Sequence, residues 1–162
     1  MTRVEETFRE WTRGKSLTEA RISVFEHIRD IPYAIIPELR DPRVGTEKIL
    51  EIQKGGCQPK HYLLGLYFGK LGISVKYVTY EFLWEDSAGR YPVDLKEMIK
   101  GLPPAYHLAV KAEIEHATQE ERYAYEMGKR ALMPEKDKAL YSAFIPRFNE
   151  WVAPERKRNP GT

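Results

Sequence analysis

The run from Lys54 to Ile73, KGGCQPKHYLLGLYFGKLGI, constrains this chain more than any other stretch. Two glycines precede the only cysteine, and a long apolar run follows it as far as Gly72. Leu63, Leu64, Leu66, Tyr67, Phe68 and Leu71 cover more than one helical face, the pattern of a helix buried at the centre of a fold. Gly55 and Gly56 can take backbone angles closed to other residues, which predicts a sharp entry into that helix. Cys57 then falls at or near the N-cap, with Pro59 in the first turn, where a missing N–H costs nothing. Gly65 and Gly69 lie one turn apart. Each costs about 1 kcal/mol of helix propensity against Ala, so the pair predicts close approach of a neighbouring element on that side.

A thiol at a helix start sits near unpaired backbone N–H groups and the positive end of the helix dipole, and both favour thiolate over thiol. Cys57 is therefore a candidate nucleophile. The competing reading is a buried structural cysteine, the common fate of a lone Cys.

At 162 residues the chain suits one domain, read as 1–153, followed by a basic tail over 154–162 (PERKRNPGT) expected to be solvated and disordered. It is 42% hydrophobic and 12% aromatic, enough for a real core. The 26 basic and 24 acidic residues leave a net charge of +2, which gives no field pointing to nucleic acid. A single cysteine excludes an intramolecular disulfide and fits a reducing compartment. The opening MTRVEETFREWTRGK has no apolar signal core, and no apolar run reaches bilayer length, so the expectation is a cytoplasmic protein without a membrane partner.

Along the chain, Val4, Phe8 and Trp11 predict a short helix over 2–13, interrupted by Gly14. Ser16 with Glu19 is a capping box that opens a helix to about Arg29, with Ile22, Phe25 and Ile28 or Arg29 inward and His27 solvated. IPYAIIPEL, Ile31 to Leu39, is apolar but broken by prolines and reads as an extended connector across the core. Asp41-Pro42 marks a turn, and a short helix follows from about Glu47 to Gln53. After the cysteine helix, Ile73 to Trp84 is the clearest strand, Asp86 to Pro92 a loop and Asp94 to Lys100 a short helix. A second strand, Ala105 to Glu115, alternates Leu108, Val110, Ala112 and Ile114 against His107, Ala109, Lys111, Glu113 and Glu115. Thr118 with Glu121 predicts a helix to about Leu132. Pro134 with Asp137 predicts a last helix to about Val152, with Leu140, Phe144, Ile145, Phe148 and Trp151 on the core and a kink or split at Pro146.

A nucleophilic thiol needs a base within hydrogen-bond reach. His61 lies one helical turn beyond Cys57, and His107 begins the second strand after two prolines, where a sheet edge meets loops. A histidine from another element can face the thiol head-on, so His107 is preferred, with His61 as the alternative base. Cys57 and His61 with His107 or Glu113 fall short of a convincing metal-ligand set, and no metal is assigned. Gly55-Gly56 lacks the lysine and hydroxyl of a phosphate-binding loop. No serine sits in a nucleophile elbow.

A glycine-cysteine turn opening a central helix, a Leu-Gly-Ile close, a strand, and a histidine at the head of a second strand together resemble the transglutaminase-like superfamily within the cysteine-proteinase fold. The resemblance covers about residues 31–115 and is best over GGCQPKHYLLGLYFGKLGI and AYHLAVKAEIE. It implies Cys57 as nucleophile and His107 as general base. That family continues into a further strand bearing an aspartate, often Val-Asp-Ala-Thr before an aromatic residue. Here Glu115 runs into His116-Ala117-Thr118 and a predicted helix, so the third catalytic member and its strand are missing from the pattern. Asp86, Asp94, Asp137, Glu113 and Glu115 have no spacing that recommends them as substitutes.

The sequence thus predicts an α+β fold: a central Cys-bearing helix packed on a small antiparallel sheet, flanked by N- and C-terminal helices. The predicted function is cysteine acyl transfer, or hydrolysis of an amide or ester, on a peptide, protein or small acyl substrate. Backbone N–H groups around Gly55, Gly56 and Gln58 form the turn and oxyanion site, and no cofactor is required. The alternative is a catalytically silent module that binds a peptide or protein in the same groove. Two strands alone make a marginal sheet with an open edge, which predicts a homodimer through edge pairing or exchange of C-terminal helices.

Overall fold

The computed structural model describes residues 1–114 and 135–158. The chain folds as α1 (Arg3–Thr12), α2 (Leu17–Asp30), a 3-10 turn (Pro37–Arg40), α3 (Pro42–Ile52), α4 (Cys57–Lys70), β1 (Ser74–Phe82), a second 3-10 segment (Trp84–Arg90), α5 (Val93–Ile99), β2 (Ala105–Glu113) and α6 (Glu135–Arg158). The architecture is the predicted α+β arrangement, with terminal helices around a helix that packs on a two-stranded antiparallel sheet. Glu115, His116 and the helix read over 118–132 lie outside the described residues.

Local chemistry sets the helix starts. Thr2 and Glu5 cap α1 reciprocally, Glu5 N–H donating to Thr2 Oγ1 at 3.2 Å and Thr2 N–H to Glu5 Oε2 at 3.0 Å. Ser16 and Glu19 repeat the device on α2, and Gly14 turns the chain between the two helices at φ +69°. Asp41-Pro42 proves to be a helix start rather than a free turn. The Asp41 carboxylate accepts from Arg43 N–H at 2.9 Å and Pro42 occupies the first turn, so α3 begins ahead of the predicted Glu47.

α4 is the axle of the larger core. It packs on β2, α3, α2 and β1, and Leu63 and Tyr67 have no exposed surface. Val4, Phe8 and Trp11 of α1 all join this core, and Tyr67 Oη donates to Val4 O at 2.9 Å, tying the first helix to the fourth. Of the predicted α2 stripe, Ile28 is buried and Phe25 packs partly buried on the core, whereas Ile22 is 40% exposed and Ala20, Arg21, Ser23 and Val24 are buried in its stead. The cause is α1. It lies along α2, and Ser23 Oγ donates to Trp11 O at 2.9 Å. His27 is exposed but not merely solvated, since its ring stacks on Trp11 at 4.6 Å and its Nδ1–H donates to Ser23 O at 2.7 Å.

The register of the sheet pairs Tyr77 with Val110, Thr79 with Leu108 and Tyr80 with His107. Tyr77 reaches α4, where a Cβ on Gly65 would fall 2.1 Å from its Oη, so the close-approach reading holds at that glycine. It fails at Gly69, which is exposed and has no neighbour within 4 Å of a Cβ. Leu108, Ala109 and Val110 are all buried, so β2 is covered on both sides of its pleat.

A second, aromatic core gathers Trp84, Tyr91, Tyr141, Phe144 and Phe148 with Leu95 and Ile99 of α5. The indole N–H of Trp84 donates to Tyr141 Oη at 2.9 Å. α6 is an unbroken helical span that contains Pro146 and Pro154 and continues to Arg158, beyond the predicted end near Val152. Leu140 is 47% exposed rather than inward, its place in the core taken by Tyr141 and Val152. Among the described residues no helix is long and apolar enough to cross a membrane.

Candidate active site

Gly56 is the N-cap of α4 and Cys57 its first residue. The N-cap glycine has no side chain to accept from the first-turn N–H groups. The glycines act through space rather than through unusual angles. Gly56 has φ −82°, open to any residue, and among the described residues the positive-φ glycines are Gly14, Gly72 and Gly101. A Cβ on Gly55 would meet Ile49 Cδ1 at 2.6 Å, and one on Gly56 would meet Ala34 O at 3.2 Å. The connector from Pro32 runs beside them: Gly55 N–H donates to Pro32 O at 3.0 Å and Ala34 N–H to Gly55 O at 3.4 Å.

The start of α4 meets the start of β2. The backbone N–H groups of Leu108, Gln58 and Cys57 itself act on the Cys57 sulfur, as does the Arg40 guanidinium from the 3-10 turn. His107 precedes Leu108, and its ring lies 5.8 Å from that of His61 in an edge-on contact at 85°. The fold therefore assembles Cys57, His61, His107 and Arg40 at one end of the central helix. His61 is only 9% exposed, because β2 packs on α4.

Electrostatics at this end run against the expected thiolate. Burial pushes the Cys57 thiol up, and the N–H groups and Arg40 offset only part of that effect. Burial likewise pushes His61 down to about 3, helped by neighbouring His107 and Lys60. His107 retains an exposed flank, and partial desolvation lowers its pKa as well. The resting cluster is accordingly a neutral thiol beside neutral imidazoles, not a thiolate–imidazolium pair.

Desolvation lowers the His107 pKa, and no carboxylate among the described residues counters it. Three of the five acids weighed from the sequence are engaged elsewhere, and Glu115 lies outside the described residues. Asp94 binds Arg147, Glu113 pairs with Lys76 at 3.1 Å, and Asp86 accepts from Leu83 N–H at 3.4 Å. No group of three His, Cys, Asp or Glu side chains able to hold a metal occurs among the described residues. Arg40 and the Leu108 N–H were missed in the sequence. Neither belongs to a local motif, and both reach the thiol only through the packing of the 3-10 turn and β2 on α4. Comparison with protein-family models, with curated proteins and with solved structures finds no match to this chain.

Proposed function

We propose that this chain carries a transglutaminase-like thiol site for acyl transfer or hydrolysis at an amide, ester or thioester, with Cys57 as nucleophile and His107 as general base. The observation that carries this reading is the meeting of an uncapped helix start bearing Cys57 with the strand start bearing His107. As Sγ attacks the substrate carbonyl, the thiol proton passes to the His107 imidazole and the carbonyl electrons move onto oxygen. The backbone N–H groups at the start of α4, around Gly55, Gly56 and Gln58, are the donors offered to that oxyanion. The imidazolium then protonates the leaving amine or alcohol, and the acyl group remains on sulfur as a thioester. Water or an acceptor nucleophile releases it, with His107 again taking the proton. Starting from a neutral pair, proton transfer accompanies attack rather than preceding it. No cofactor takes part in these steps.

A raised thiol pKa favours the second reading, a silent module that binds a peptide or protein at the same surface. An activated aryl ester separates the two when acylation and release are timed independently. The catalytic reading expects a one-acyl mass gain on Cys57, absent in Cys57→Ala and slowed at least about tenfold in His107→Ala. Release is expected to be slow, since loss of the orienting carboxylate costs a catalytic triad about four orders of magnitude. Acylation no faster in the native protein than in His107→Ala would establish the silent reading.

A further inference from the structure

We propose that Asn149 on α6 is a positioning residue for Cys57, acting through the connector that lies between them. The Asn149 side-chain amide makes a paired contact with one backbone residue: Oδ1 accepts from Ile35 N–H at 2.8 Å and Nδ2 donates to Ile35 O at 2.8 Å. A side-chain amide used in this way stands in for a neighbouring strand and satisfies both polar groups of a proline-broken segment. One residue away, Ala34 N–H donates to Gly55 O, and Gly55 N–H donates to Pro32 O. Between those two bonds, the Tyr33 ring contacts Phe148 of α6 edge-on at 6.3 Å. The same ring flanks Gly56, whose Cβ would lie 3.8 Å from Tyr33 Oη. Gly56 is the N-cap of the cysteine helix, so two neighbouring residues of α6 hold the segment that sets where that helix begins.

This assignment goes beyond the proposed function without resting on it, because its readout is the thiol and not turnover. The charged and titratable groups at that end of α4 include Tyr33, Arg40, Lys60, His61 and His107, and every variant below retains all of them. Asn149→Ala is expected to release the connector and admit more water to the half-buried Cys57. Iodoacetamide labelling of Cys57 at neutral pH is expected to rise about threefold or more, with the midpoint of its pH profile moving down by about half a unit toward the ordinary thiol near 8.5. Asn149→Leu keeps the volume of the side chain, adds no charge and loses both hydrogen bonds to Ile35. It is expected to shift the midpoint with the same sign, and it decides the question if the alanine variant does not fold. The control is Arg147→Ala, which breaks the ion pair from the same helix to Asp94 on α5 and leaves the connector untouched. A native midpoint in a folded Asn149 variant would overturn the assignment, and so would an equal shift in Arg147→Ala.

Discussion

Cys57 stands between opposed influences of unequal size. Burial favours the neutral thiol, while three backbone N–H groups and the Arg40 guanidinium favour the thiolate, and burial is the largest. The pH profile of Cys57 alkylation in the native protein is therefore expected to have its midpoint above the ordinary thiol value of about 8.5. Arg40→Gln should raise it further, because the cation pulls the other way. Stopped-flow labelling across the alkaline range reads both, and a native midpoint below the ordinary value would show that the helix start outweighs burial. The histidines divide differently. His61 is enclosed and neutral, while His107 keeps one flank toward solvent.

At the scale of elements, α4 is fixed by its neighbours more than by its own propensity. Lys60 in its first turns donates to Arg29 O at 2.9 Å and also to Ile31 O, closing the C-terminal carbonyls of α2 with a cation. The two glycines of α4 make a matched test of packing against propensity. Gly65→Ala drives a methyl into the Tyr77 ring, and the overpacking cost of about 1–3 kcal/mol exceeds the propensity gain of about 1 kcal/mol. Gly69→Ala meets nothing and is expected to stabilise by up to about 1 kcal/mol. Urea midpoints of the two variants should move in opposite directions, and a shift of the same sign in both would refute the packing account of Gly65.

For the whole molecule, the buried imidazole of His61 makes stability depend on pH. Its folded pKa, about 3, lies below the value near 6.5 of an unfolded histidine, so the unfolded chain binds the extra proton between those limits. Stability is fully present above pH 6.5 and falls as pH drops below it, at up to about 1.4 kcal/mol per pH unit until His61 protonates in the fold. His107, also lowered, adds to the same limb. The paired carboxylates add their own loss at lower pH, with Asp41 down at about 2, so the interval from 6.5 to 4.5 belongs to the histidines. Urea midpoints across that interval should slope downward toward acid, and His61→Gln should flatten most of the slope. An unchanged slope in the variant would show that His61 is not the titrating group. The fold has two cores, one around α4 and one around the aromatics of α6, and the connector from Ile31 contributes residues to both.

Much of this was readable along the chain because its causes are local. The Ser16–Glu19 capping box, the φ-positive glycine at Gly14, the alternation that marks β2 and the apolar density of α4 each depend on residues a few positions apart. Cys57 at a helix start and His107 at a strand start followed from the same rules. Burial was not readable, because it is decided by what another element lays on top. His61 is polar in sequence and enclosed in fact, Ile22 is apolar and 40% exposed, and Gly65 and Gly69 look alike until Tyr77 arrives over one of them. The electrostatic state of the thiol belongs to this second kind. Its helix-start donors were legible in the order of residues, but the desolvation that outweighs them comes from packing across the fold.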